Sequence, residues 1–324
     1  MIKVETDHFS PGQICQSGQC FRMERIEESR DGAEAGTESG KESDTENDKK
    51  NDTRNRTENN KENDAGNRTE NDTEDSALPR GDRYRVIAGG RYLEIIEGEE
   101  GCYFLCSQEE CDAHWKAYFD LETDYGQYIR QIDPGDAYLV RAAASGSGIR
   151  ILRQDLWETI VSFLISQQNN ILRIRRCIRT ICEGYGERLE TPHGVGYHAF
   201  PTPQALAGLE EDGLLASGLG YRSKYVVRAA RCAASGELDL EGIKALPYRE
   251  AKEELLKLFG VGEKVADCIC LFALHHLEAF PVDTHISQVL QAHYKKGFPK
   301  RRYKGYQGVL QQYIFYHTLH ADGP

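Results

Sequence analysis

Between Ile26 and Leu78 the chain carries no Val, Ile, Leu, Met or aromatic residue. With no apolar side chain to bury, nothing in this stretch offsets the conformational entropy lost on ordering it, so it cannot supply a core. Whatever folds must be assembled from the short segment before it and the long one after it. The stretch also repeats itself, Asn55-Arg-Thr-Glu-Asn59 recurring as Asn67-Arg-Thr-Glu-Asn71, without the apolar positions that stacked repeats need. We read residues 27–80 as a disordered, acidic and Asn-rich insertion. Its Asn-x-Thr triplets at Asn51, Asn55, Asn67 and Asn71 fit the glycosylation pattern but stay bare in a chain that never enters the secretory route.

The insertion explains much of the charge. Between Glu27 and Arg80 there are 17 acidic and 9 basic residues, a balance of -8 within a total of -12, which leaves -4 for the rest. That remainder excludes no partner, because arginines cluster in Arg173-Ile-Arg175-Arg176-Cys-Ile-Arg179 and at Lys300-Arg301-Arg302, and a local basic face can coexist with a slightly acidic total. The start, from Met1 to Asp7, lacks the charged and apolar regions of a signal peptide, and no apolar run approaches membrane-spanning length. These features predict an intracellular protein, cytoplasmic and nucleoid-associated if bacterial, acting as a monomer without membrane contact. Ten cysteines in such a compartment are reduced thiols rather than a disulfide framework. Cys102, Cys106, Cys111 and His114 form a loose group whose spacing matches no strong zinc pattern, so no metal is assigned.

Strand-like pieces flank the insertion: Gln19 to Met23 before it, then Tyr84 to Ile87, Arg91 to Ile96 and Gly101 to Leu105. From Cys111 the pattern turns helical, through Trp115–Phe119 and Tyr125–Ile129, then along one amphipathic run from Gln154 to Ile181 and on nearly to the C-terminus. The expectation is an α+β fold. A small N-terminal antiparallel sheet domain (1–26 plus 81–120), with the insertion in a hairpin loop, packs on a helical body (121–324).

Within the body, Tyr248 to Leu274 reads helix, two-glycine turn, helix. Gly260 and Gly262 permit tight or left-handed dihedrals and a close approach to the backbone. The free amides and positive dipole at the start of the second helix suit an anion such as a DNA phosphate. Lys264 falls in the first turn of that helix, where the dipole disfavours its charged form. Bringing a lysine from about 10.4 to 7 or 8 costs roughly 4 kcal/mol, within reach of dipole and desolvation together, although Glu263 pulls the other way; a neutral amine is a nucleophile. Asp283, in Pro281-Val-Asp-Thr-His285, reads as a helix N-cap. Rigidly held opposite Lys264, the same carboxylate would stabilise positive charge on a sugar and assist proton transfers. Taken singly, Lys264 reads first as a surface lysine and Asp283 as a plain cap.

Phe259-Gly-Val-Gly-Glu-Lys-Val-Ala-Asp-Cys-Ile-Cys-Leu-Phe-Ala-Leu, followed by Pro281-Val-Asp-Thr-His, resembles the helix-hairpin-helix, Gly/Pro-rich loop and aspartate signature of DNA glycosylases, and within them most resembles 8-oxoguanine DNA glycosylase. The likeness runs from about Ile14 to Tyr316, interrupted by the insertion. It implies a bifunctional glycosylase and abasic-site lyase: Lys264 attacks C1′ of a flipped nucleotide, expels the base and holds the sugar as a Schiff base whose β-elimination nicks the strand, with Asp283 supporting each charged stage. It further implies that Gly260, Gly262 and Val265 give amides to a phosphate, that His285 lies near the backbone of the extruded nucleotide, and that no cofactor is required, the hairpin carbonyls being candidates to hold a structural cation.

The base pocket follows from the same likeness. 8-Oxoguanine carries a hydrogen on N7 where guanine has an acceptor. Gly18, in Ser17-Gly-Gln-Cys-Phe-Arg22, matches the glycine whose carbonyl accepts that hydrogen. Gln311 and Phe315, one turn apart on one helical face, match the residues that bond the Watson–Crick edge and stack on the base; Cys268 closes the pocket opposite Phe315, with Pro281 beside them. Gln168, Asn169, Asn170 and Arg173 match the loop that fills the gap and reads the orphaned cytosine, with Gln168 where an asparagine is usual, and Tyr221 and Arg222 match a wedge tyrosine and its neighbour. The implied partner is double-stranded DNA containing oxidised guanine. Two alternatives remain: an endonuclease III-like glycosylase, though no cysteine follows Cys270 to build that family's iron–sulfur cluster, and a non-catalytic helix-hairpin-helix DNA-binding module.

Overall fold

A computed structural model describes residues 1–26 and 78–320; the expectations for the insertion and its Asn-x-Thr triplets fall outside the described residues. The first 104 residues contribute five antiparallel strands, β1 (Ile2–Val4), β2 (Met23–Ile26), β3 (Asp82–Ala88), β4 (Arg91–Gly98) and β5 (Gly101–Phe104), in the order β1-β5-β4-β3-β2. β2 and β3 pair from Met23 opposite Val86 to Ile26 opposite Arg83, so the chain leaves and rejoins the sheet at one end of a hairpin, as the sequence predicts. Period-2 alternation puts Tyr84, Val86 and Ala88 on one face, where they meet Leu93 and Ile95 from β4. Helix α1 (Pro11–Gln16) and the helical segment beginning at Gln108 cover that face, burying Ile14, Trp115 and Phe119.

Three local expectations are corrected. The strand expected over 19–23 begins only at Met23, because Gln19 is fully buried and spends its amide elsewhere: Nε2 donates to Arg150 O, and Oε1 accepts from Leu152 N. A side chain so engaged mimics a paired strand and leaves residues 19–22 as a strap between sheet and body. The helix expected from Cys111 starts earlier, at Gln108, and passes through a π-turn (Cys111–Trp115). The run from Gln154 to Ile181 is two helices, α4 (Leu156–Ser166) and α5 (Ile171–Tyr185), separated at Gln168, whose φ is +48°. Asn170 restarts the chain as an N-cap, its side chain accepting from Arg173 N at 2.9 Å.

α4 is the axis of the helical body, buried at every position from Leu156 to Ile165. The body also contains α2 (Tyr125–Arg130), α3 (Ala137–Ser145), α5, α6 (Ser223–Ser235), α7 (Tyr248–Leu256), α8 (Glu263–Phe272), α9 (Thr284–His293) and α10 (Gln307–His320). Each part has its own core, yet each lends a residue to the other: Phe21 belongs to the helical core and Leu152 to the sheet core. All ten cysteines are free. No helix among the described residues is long and apolar enough to cross a membrane.

Candidate active site

α7 and α8 form the hairpin. Gly260 has φ +94°, and a Cβ placed there would lie 2.7–2.9 Å from the Tyr225 ring, so the turn admits glycine alone. Lys252 of α7 reaches Glu263 at 2.7 Å and Asp267 at 2.8 Å on α8, and Tyr248 donates to Asp267 at 2.6 Å. These three contacts clamp the two helices. They also pair Glu263, the residue before Lys264, with Lys252. Gly262 is the N-cap of α8 and provides no side-chain cap, so the first amides of the helix are left for a ligand.

Lys264, in the first turn of α8, extends over the Phe163 ring, Nζ 5.3 Å from its centroid. One turn on, Cys268 is buried and hydrogen-bonds with Lys264; burial pushes its thiol up to about 11, against the pull of the lysine, so it stays neutral at physiological pH. Asp283 caps α9, accepting from Ile286 N at 2.8 Å through Oδ1. Lys264 and Asp283 line one small cavity of about 40 Å³ with Gly18, Cys268, Pro281, Gln311 and Phe315; Ser17, Phe163, Phe272 and Gln312 complete its wall. Gly18 thus meets six residues that lie 246 to 297 positions further along the chain. Gly18, at φ +72°, lies against Phe315: a Cβ there would be 3.1 Å from the ring.

The cavity opens into a groove of about 1340 Å³, with Gly18, Phe163, Lys264, Asp283 and Phe315 shared between the two. The groove is walled by Gln168, Asn169 and Asn170 on one side, and by Gly262, Val265 and the exposed His285 on the other. Arg173, Tyr221 and Arg222 are not among the residues that line it. Arg173 is exposed and donates to Gly218 O at 3.1 Å, and Tyr221 is exposed with its ring edge-on to Tyr225.

Arg222, expected with Tyr221 to meet DNA, turns inward. It is 4% exposed, stacks its guanidinium under the Tyr221 ring at 4.5 Å, and donates to the carbonyls of Gln167 (2.7 Å) and Gln168 (2.9 Å). Carbonyls left without partners by the break between α4 and α5 draw it in. The arginine cluster of α5 is likewise divided: Arg175 and Arg179 line a separate cavity with Arg22 and Arg85, away from the groove. Among the described residues no group of three or more His, Cys, Asp or Glu is arranged to hold a metal.

Two further residues emerge from the structure alone. Gln167 donates its amide to Gly260 O at 2.9 Å, linking the loop after α4 to the hairpin, and Gln312 bonds Gln311. Nothing in the sequence distinguishes either from its neighbours, since both act through side-chain contacts between elements.

A helix-hairpin-helix with a first-turn lysine facing a capping aspartate defines a base-excision DNA glycosylase fold and site. In agreement, residues 161–301 match the HhH-GPD superfamily base excision DNA repair protein family, and residues 67–160 match the N-terminal domain of 8-oxoguanine DNA glycosylase. A crystal structure of Clostridium acetobutylicum 8-oxoguanine glycosylase/lyase, bound to double-stranded DNA with cytosine opposite 8-oxoguanine, superposes with a TM-score of 0.76 at 31% identity, covering 98% of this chain and 94% of that one. The probable N-glycosylase/DNA lyase of Methanothermobacter thermautotrophicus is 31% identical over 62% of this chain and 72% of its own. The N-glycosylase/DNA lyase of Saccharomyces cerevisiae is 35% identical over 61% of this chain, which spans 55% of the yeast protein's length. The chain belongs to the 8-oxoguanine DNA glycosylase/lyase family.

Proposed function

We propose that this protein flips 8-oxoguanine out of double-stranded DNA, preferably from opposite cytosine, excises it, and nicks the abasic site through a lysine Schiff base. The observation that carries this reading is the single cavity in which Lys264, Asp283, Gly18, Cys268, Gln311 and Phe315 converge, opening on a groove large enough for a nucleic-acid backbone. The lysine supplies the nucleophile and the other residues the base contacts.

Lys264 Nζ attacks C1′ and the C1′–N9 bond breaks, its electron pair leaving with the base, which is protonated as it departs. Asp283 offsets the positive charge on the sugar at this stage. Loss of the amine protons and opening of the sugar give an iminium between Lys264 and C1′. Removal of a C2′ proton then expels the 3′ phosphate, cutting the strand, and water releases the lysine. The Cys268 thiol, held neutral by burial, adds no charge of its own to the pocket. Uncapped amides at Gly262 to Val265 receive a phosphate, while Gln168, Asn169, Asn170, Arg173 and Tyr221 face the opposite strand, with Arg222 holding that loop from behind.

No cofactor takes part. A cation at the hairpin turn would serve only structure, and since Gly260 O is already bonded by Gln167, its ligands would be the other carbonyls of the turn. All the site's residues come from one chain, consistent with a monomer acting wherever the genome lies.

Borohydride trapping on an 8-oxoguanine:cytosine duplex tests the reading. The wild type becomes covalently linked to DNA, and Lys264→Gln, with no amine to form the iminium, gives no crosslink and no nick. A Lys264→Gln protein that still trapped would overturn the mechanism. Cleavage opposite adenine as fast as opposite cytosine would refute the preference.

A further inference from the structure

We infer that Gln312 is a positioning residue that fixes which end of the Gln311 amide faces the bound base, and that it thereby separates oxidised guanine from oxidised adenine. This rests on the functional reading above and concerns the one contact by which those two lesions differ.

The argument starts at Pro281. Its main-chain carbonyl can only accept, so the Gln311 atom 3.1 Å away is the amide nitrogen. Gln311 Oε1 is therefore turned to the other side, where Gln312 Nε2 meets it at 3.1 Å. Carbonyl, amide and second amide form a relay with one direction. Reversing Gln311 alone would set oxygen against oxygen at Pro281 and –NH₂ against –NH₂ at Gln312, and reversing both amides would still leave the clash at Pro281. Both glutamines are 3% exposed, so water cannot rescue the reversed arrangement.

Gln312 itself points to a role beyond packing. Its neighbours on α10, Val309, Leu310, Tyr313 and Ile314, are buried, and its own Oε1 is buried without a hydrogen-bond partner. An apolar residue would fill the space without that penalty. The amide earns its place through its other end, the Nε2 that orients Gln311.

The consequence is chemical. 8-Oxoguanine and 8-oxoadenine both carry a hydrogen on N7, so a carbonyl at Gly18 accepts from either. They differ on the Watson–Crick edge, where the guanine lesion presents N1–H and an exocyclic amine and the adenine lesion presents N1 as an acceptor. Gln311 Oε1, with one lone pair used by Gln312, has a second for N1–H and repels an N1 lone pair.

Single-turnover excision of 8-oxoguanine and of 8-oxoadenine, each opposite cytosine in one sequence, tests this with wild type, Gln312→Leu and Gln312→Glu. Rates are normalised to the fraction of each preparation that crosslinks to abasic DNA, which corrects for misfolded protein. The expected result is an excision ratio about tenfold lower in Gln312→Leu, the worth of one hydrogen bond. In Gln312→Glu it falls further, because a carboxylate cannot donate to Gln311 Oε1. As pH is lowered the protonated carboxyl can donate, and the Gln312→Glu ratio recovers towards wild type. A ratio unchanged in both variants, or a Gln312→Glu ratio without pH dependence, overturns the inference while leaving the functional reading intact. A wild type that excises neither base overturns that reading, and this one with it.

Discussion

Gly18 shows how much one residue can carry. Its φ of +72° is one that a side chain resists, and a Cβ would press on the Phe315 ring at 3.1 Å. Gly18→Ala is expected to slow 8-oxoguanine excision about tenfold or more, with a smaller effect on nicking at a preformed abasic site, where no base enters; equal loss on both substrates would mean that the substitution damages the fold. In the sequence this glycine is one turn glycine among 31, and only its resemblance to a family segment marks it. The cap at Asp283 was legible, and the residue that caps α9 through Oδ1 also lines the cavity. Arg222 was not legible. Its neighbourhood predicts an exposed side chain, and its burial depends on carbonyls 54 and 55 positions away.

Elements are where periodicity succeeded and where it failed. The hairpin helices could be read from apolar spacing and two glycines, because each is amphipathic and the turn needs a residue without Cβ. The break between α4 and α5 was legible only in part: the helical reading ran through it from Gln154 to Ile181, while the polar stretch Ser166-Gln-Gln-Asn-Asn170 and its likeness to a family loop marked the place. That break positions the groove: Gln167 ties it to the hairpin, and Arg222 ties it to the turn bearing Tyr221. Gly260→Ala should therefore damage more than its own turn. Strain at φ +94° together with displacement of Tyr225 should destabilise the protein by about 2–4 kcal/mol. Duplex affinity, measured by gel shift at a temperature where the variant remains folded, should fall as well. Unchanged affinity would show that the hairpin and the loop act independently.

At the scale of the molecule, the change from period-2 to helical patterning near Cys111 made the two-part architecture readable. The exchange of Phe21 and Leu152 between cores was not, because both are ordinary apolar residues. Beside Phe21, Arg22 reaches across to Glu158 of α4 at 3.5 Å. Burial pushes the Glu158 carboxyl from 4.5 up to about 7, with Arg22 opposing. The folded state thus holds this proton where the unfolded chain releases it. The stability it contributes is present below about 4.5 and lost as pH rises to about 7, a loss on the order of 3 kcal/mol. Glu158→Gln should flatten that slope, raising the denaturation midpoint at pH 8 relative to wild type more than at pH 5; identical pH profiles would refute it. The small cavity has a consequence of another kind. Gly18, Phe163, Lys264, Asp283 and Phe315 border both it and the groove, so the one communicates with the other. A base tethered to DNA already seated in the groove therefore meets the pocket at high effective concentration. A loose base or nucleotide from the cellular pool has no such tether and competes only at its own, far lower concentration.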